Sequence, residues 1–133
     1  MRSIFVNLPV ADVAVSRSFF TALGFTVNEQ FSDEQAVSIV LEENITAILM
    51  TPTRFADFVV GEIADAQKST EVLFALSADS REDVDRLRAT ALAHGGSEWK
   101  PNQDHGFMYG ASFADPDGHV WEVVWMDPAA VAG

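Results

Sequence analysis

The segment Phe113-Ala114-Asp115-Pro116-Asp117-Gly118-His119-Val120-Trp121-Glu122-Val123-Val124-Trp125 constrains the fold more than any other part of the chain. It reads as strand, tight turn, strand. In Asp-Pro-Asp-Gly the proline fixes φ at the start of the turn, the aspartates accept from local N–H groups, and the glycine supplies a positive φ. Alternation then places Val120, Glu122, Val124 and Met126 on one face of the second strand, and His119, Trp121, Val123 and Trp125 on the other. A carboxylate among apolar neighbours is costly unless it is paired, metal-bound or facing a wet cavity. Glu122 is therefore either exposed at an edge or part of a site.

Upstream, the same grammar occurs twice. Ile4–Val10 reads as a strand, and Asp12 is a good N-cap for a helix running to about Leu23, with Gly24 at its C-terminal end. Val15, Phe19, Phe20 and Leu23 form its expected apolar stripe. Phe25–Phe31 is a second expected strand, Ala36–Leu41 and Ile45–Met50 a hairpin, and Thr53–Val60 a short helix. A polar connector covers 61–69. Thr70–Ser77 then opens a second round. Ser80 caps a helix whose Val84, Leu87 and Ala91 line one face, and Gly95-Gly96 ends it. Ser97–Lys100 is a short strand candidate, Pro101–Gly106 a loop, and Phe107–Ala114 and Gly118–Met126 the closing strands. The order is βαβββ twice, visible in the elements and not in the letters. Periodicity alone gives an α+β class, with module one at about 1–60 and module two at about 70–128.

These stretches resemble the vicinal oxygen chelate superfamily, the glyoxalase, bleomycin-resistance and extradiol-dioxygenase group. The resemblance rests on the closing hairpin and on Asn7-Leu8-Pro9-Val10-Ala11-Asp12, Ser16-Arg17-Ser18-Phe19-Phe20 and Leu23-Gly24-Phe25 at the opposite end. It implies a single domain over 1–133, in which two βαβββ modules form an open curved sheet around a cleft. It also implies four inward positions that hold a metal in metal-using members. Here they fall on Phe5, Leu49, Glu71 and Glu122. Phe5 and Leu49 cannot donate, and divalent transition metals want at least three protein donors. Neither a metal nor another cofactor is therefore expected. Glu71 and Glu122 remain as an inward carboxylate pair suited to acid/base chemistry. Phe5, Asn7, Leu49 and Leu73 are expected to line the cleft, with Arg54 at its rim as a counter-ion and His105 closing over it from a polar loop.

Composition narrows the function classes. The 133 residues carry 8 basic and 20 acidic side chains, a net charge of −12, which argues against nucleic-acid binding and permits a cationic ligand. There is no cysteine, so disulfides, thiolate metal sites and cysteine nucleophiles are excluded. No apolar run reaches membrane-spanning length, and the N-terminus enters a strand directly, so a soluble cytoplasmic protein is expected. No phosphate-binding glycine loop, nucleophile elbow or His-Glu-x-x-His zinc motif occurs. The expected activity is binding of a small, partly apolar ligand in the cleft, with carboxylate proton transfer as its chemistry. Two alternatives stay open: sequestration of a cationic drug without reaction, and a metal-dependent lyase or dioxygenase. The resemblance further implies a homodimer.

Overall fold

The computed structural model describes residues 1–131, with Val131 described in its backbone alone. The chain divides into two compact units, Met1–Asp65 and Ala66–Gly133, so the connector expected at 61–69 is shared between them.

In the first unit, β1 (Ile4–Pro9) leads into α1 (Val13–Ala22), then β2 (Thr26–Val27), β3 (Ala36–Glu42), β4 (Ile45–Met50) and the single-turn α2 (Pro52–Phe55). The sheet order is β1-β4-β3-β2, with β1 parallel to β4 and the other pairs antiparallel. Asp12 caps α1 through its side chain, which accepts from the N–H groups of Ala14 and Val15. The buried stripe of α1 is Val13, Ser16, Phe19 and Phe20, continued by Leu23. Val15, expected in that stripe, is 48% exposed, because at 3.6 residues per turn it falls just outside the arc that runs from Phe19 to Val13. The long second strand expected at Phe25–Phe31 is only two residues, followed by a 3-10 turn at Glu29–Phe31. Ser32 and Ser38 stabilise that turn by bonding Asn28 O and Phe31 O, which removes the segment from the ladder.

The second unit repeats the plan with β5 (Leu73–Ser77), α3 (Arg81–Ala93), β6 (Gln103–Asp104), β7 (Met108–Ala114), β8 (Val120–Met126) and α4 (Pro128–Val131). Its order, β5-β8-β7-β6, matches the first sheet strand for strand, and β5 is again parallel to its neighbour. Ser80 caps α3 through the N–H of Asp83. Val84, with Leu87 beside it, packs on Ala111, Val123 and Leu76 to form the core between helix and sheet. Ser97 makes only an isolated bridge to Ala114 where a strand was expected. Within the expected 101–106 loop, Gln103 and Asp104 pair with Gly110 and Tyr109.

That short strand is held by Arg81. Its guanidinium donates to both Asp104 oxygens at 2.8 and 2.9 Å and to Gly106 O at 2.9 Å, and lies 5.0 Å from the Tyr109 ring centre and 5.2 Å from that of Trp125. Hydrogen bonding from Arg81, aided by the Gly106 N–H, lowers the Asp104 carboxyl to about 2. Tyr109 in turn donates to Asp85 at 2.5 Å, a bond that raises its phenol above the ordinary value.

Candidate functional site

In each unit the helix covers one face of the sheet and leaves the other open. Register fixes which residues share a face, since directly opposed residues point the same way. In the first sheet, Leu8, Leu49 and Val37 stand in one row, and Val6, Ala47 and Ile39 in the next. Leu49, Ala47 and Ile39 have no exposure, and α1 packs on β3 and β4, so this is the covered face. The open face holds Phe5, Thr46 and Val40 in one row and Asn7, Ile48 and Ser38 in the next. Phe5 is 60% exposed there, and Asn7 Nδ2 donates to Phe5 O at 3.3 Å.

Leu49, expected at the cleft, therefore lies in the core on the side away from Phe5 and Asn7. The residue beside Asn7 is Ile48. Arg54 is half-buried in α2, and its guanidinium has no ion pair among the described residues.

In the second sheet, Trp121, Val123 and Trp125 share the α3 side with Phe74, Leu76, Phe113 and Ala111, as parity predicts. Glu122 stands on the open side in a row with Ala75 and Ser112. Leu73 is on the same open side, 45% exposed. Glu71 precedes β5 on irregular, exposed backbone. The neighbour of Glu122 on β5 is Ala75, four residues past Glu71, and Glu71 lies outside the register that pairs β5 with β8. The expected carboxylate pair is thus replaced by one carboxylate. His105 is exposed on the β6–β7 turn, where its N–H bonds Met108 O and its ring lies 6.5 Å from that of Phe107.

Around Glu122 the open face forms a small hollow lined by Lys100, Gln103, Met108, Ser112 and Val124, with about 30 Å³ of room. That accommodates a water molecule or a small polar group of a larger ligand. The Glu122 side chain is 23% exposed, and Lys100 Nζ lies 3.9 Å from its Oε1. The carboxylate accepts no hydrogen bond among the described residues, so both oxygens keep their capacity for a ligand. Ser112 Oγ, 3.5 Å from Lys100 O, steadies the segment that carries the lysine. Gly110 forms part of the floor, and a Cβ there would meet Val124 Cγ2 at 3.6 Å, an ordinary contact.

Lys100, Gln103, Met108 and Ser112 were not singled out from the sequence. Counting outward from the Asp-Pro-Asp-Gly turn pairs Ser112 with Glu122 and was available as a signal. For Lys100 no such local signal exists.

Among the described residues no group of three His, Asp or Glu side chains is placed to hold a metal. The donor chemistry agrees. The open face of the first sheet offers amide, hydroxyl and apolar groups, and that of the second offers one carboxylate beside a lysine. These residues do not fit a transition-metal centre. No helix of the described residues is long and apolar enough to cross a membrane.

A duplicated βαβββ unit, with each four-stranded mixed sheet covered by a helix on one side and open on the other, defines an architecture shared with known proteins. The model of the Glyoxalase/Bleomycin resistance protein/Dioxygenase superfamily matches residues 4–123, and the chain belongs to that superfamily. Among solved structures, a hypothetical protein SA1046 from S. aureus is 28% identical, with a TM-score of 0.80 and 94% of each chain covered. A glyoxalase-related enzyme from Fulvimarina pelagi is 17% identical, with a TM-score of 0.79 over 94% of this chain and 88% of that one. A lactoylglutathione lyase from Agrobacterium tumefaciens is 17% identical, with a TM-score of 0.66 over 92% and 91%. The comparison with curated proteins finds no match.

Proposed function

We propose that the open face of the second sheet binds a small, partly apolar molecule, and that Glu122 is the group that takes a proton from it or returns one. The observation that carries this is the state of the Glu122 carboxylate: three-quarters covered, yet free of any hydrogen bond among the described residues, with its lysine at 3.9 Å. A purely structural carboxylate at that depth would be bonded directly, because leaving it so is costly. Met108 and Val124 supply apolar contact, while Lys100 can donate to an oxygen of the same ligand. A carboxylate that accepts a proton beside an ammonium that steadies the resulting oxyanion suits proton transfer next to a carbonyl or hydroxyl group. Lys100 also argues against a free cation in this hollow, so drug sequestration through Glu122 is the weaker reading despite the net charge.

The test is Glu122→Gln, which keeps shape and removes charge. A thermal-shift panel of small hydroxy- and oxo-compounds should contain molecules that stabilise the wild type and lose that effect in the variant. Unfolding stability itself should fall by less than about 1 kcal/mol, as for a loose, partly exposed pair. A loss of about 3 kcal/mol or more, with ligand effects unchanged, would make Glu122 structural and end this reading. We further propose a cytoplasmic homodimer, the assembly the superfamily resemblance implies. Sedimentation showing a monomer at micromolar concentration would remove it.

A further inference from the structure

The second unit carries a larger hollow at the turn end of its sheet. Its volume is about 240 Å³. Gln67, Lys68, Ser69 and Thr70 form one wall, and Trp99 and Gly118 contribute to the rest. None of its lining residues also lines the hollow beside Glu122.

Three observations set this place apart. First, no aspartate or glutamate lines it, although 20 of the 133 residues are acidic. Second, the chain has only two lysines: Lys68 lines this hollow together with Trp99, and the Lys100 ammonium lies 5.3 Å from the Trp99 ring centre. The Lys68 ammonium has no ion pair or hydrogen bond among the described residues, whereas Arg17, Arg81, Arg86 and Arg88 are all committed to carboxylates. Third, Trp99 is 40% exposed, a large flat surface left open beside unspent positive charge.

The wall is also built in advance. Gln67 Nε2 donates to Pro116 O at 3.4 Å, and a Cβ on Gly118 would come within 3.0 Å of Gln67 Oε1. The connector is thus seated directly on the turn backbone.

We propose that this hollow binds a planar aromatic anion, a one- or two-ring aryl carboxylate. The ring lies against Trp99, and the carboxylate is met by the Lys68 ammonium and the hydroxyls of Ser69 and Thr70. Aromatic faces attract one another in offset or edge-on arrangements, and a carboxylate gains charge-assisted bonds from an ammonium and hydroxyls. An aromatic cation would meet Lys68 with the wrong sign. The overall negative charge opposes the anion only weakly, since charges beyond about 8 Å are screened at physiological salt.

The experiment uses naphthoate as probe on the full-length nitrogen-labelled protein, following the three indole N–H signals, with Trp99→Phe to assign that of Trp99. Naphthoate should move the Trp99 signal saturably and leave that of buried Trp121 in place. Lys68→Met should weaken the affinity about tenfold, the loss expected for one charged hydrogen bond, and neutral naphthylmethanol should bind the wild type about tenfold more weakly than naphthoate. Lys68 is exposed, so the fold survives the change. The proposal is overturned by a Trp99 signal that does not saturate, by Lys68→Met titrating like wild type, or by naphthylmethylammonium binding more tightly than naphthoate.

Discussion

The two sides of β8 live in different surroundings, and the contrast separates what holds the second unit together from what it offers to a ligand. On the side facing α3, the hairpin corner is closed by hydrogen bonds. Asp115, 3% exposed at the hairpin corner, accepts from the N–H groups of Asp117 and His119 through Oδ1 and from Trp121 Nε1 through Oδ2. Trp121 in turn lies 4.8 Å from the Phe74 ring, and Val123 is locked between Val84 and Ala111. On the other side, Glu122 has a loose lysine and open acceptor sites. Two carboxylates of one hairpin thus serve opposite ends: one completes a packed corner, and the other stays available.

The contrast is broken most directly at Asp115. Asp115→Ala strands the buried Trp121 and His119 N–H groups and should cost about 3–5 kcal/mol, measured by urea unfolding. A loss no larger than that of Glu122→Gln would erase the distinction. The next effect compares neighbours. Val123→Ala opens a cavity in the core and should cost about 2 kcal/mol, while Val124→Ala, half-buried on the open side, should cost less than about 1 kcal/mol. Equal losses would mean that both faces are packed alike.

The smallest effect is in pH dependence, and it differs in sign between two acids. Asp104 has a folded-state pKa of about 2, below its unfolded value, so its contribution is present above about pH 4 and is lost as pH falls towards 2. The melting-temperature difference between wild type and Asp104→Asn should therefore shrink over that range. Burial raises Asp115 instead, partly opposed by the charge of His119 and the Trp121 bond. Its contribution favours the folded state at acid pH and declines as pH rises from about 4 through the raised value. A wild-type acid limb that Asp104→Asn leaves unaltered would show that the Arg81 clasp adds nothing to stability.

These particulars also show how far the sequence could be read. The phase of β8 was legible because the Asp-Pro-Asp-Gly turn fixes where alternation begins, and Trp121, Val123 and Trp125 took the predicted side. The two caps, Asp12 and Ser80, are equally local and were equally legible. Leu49 was not, because both faces of β4 carry large apolar residues, Leu49 on one and Ile48 on the other, and its partner β1 is joined to it by no turn. The register Asn7 to Ile48 is set by packing across the sheet. Glu71 failed for the same reason: the parallel register of β5 with β8, not the residue pattern, places Ala75 beside Glu122. The two-residue β6 owes its existence to Arg81, far away in sequence. Lys100 is the clearest loss, since its place beside Glu122 exists only in the folded chain.

The mixed connectivity of this second sheet also orders events in time. The β7–β8 hairpin joins segments that are neighbours in the chain and whose turn is stitched by bonds within four residues, Gly118 N to Asp115 O and His119 N to Asp115 Oδ1. The parallel pairing of β5 with β8 closes a loop spanning most of the unit, with a correspondingly larger entropy cost. The hairpin is thus the natural nucleus, with β5 the late arrival. Substitutions in the turn should slow refolding, whereas trimming Leu76 should chiefly hasten unfolding. An edge strand that docks last is also expected to leave first, so contacts made by β5 should weigh most on the unfolding rate.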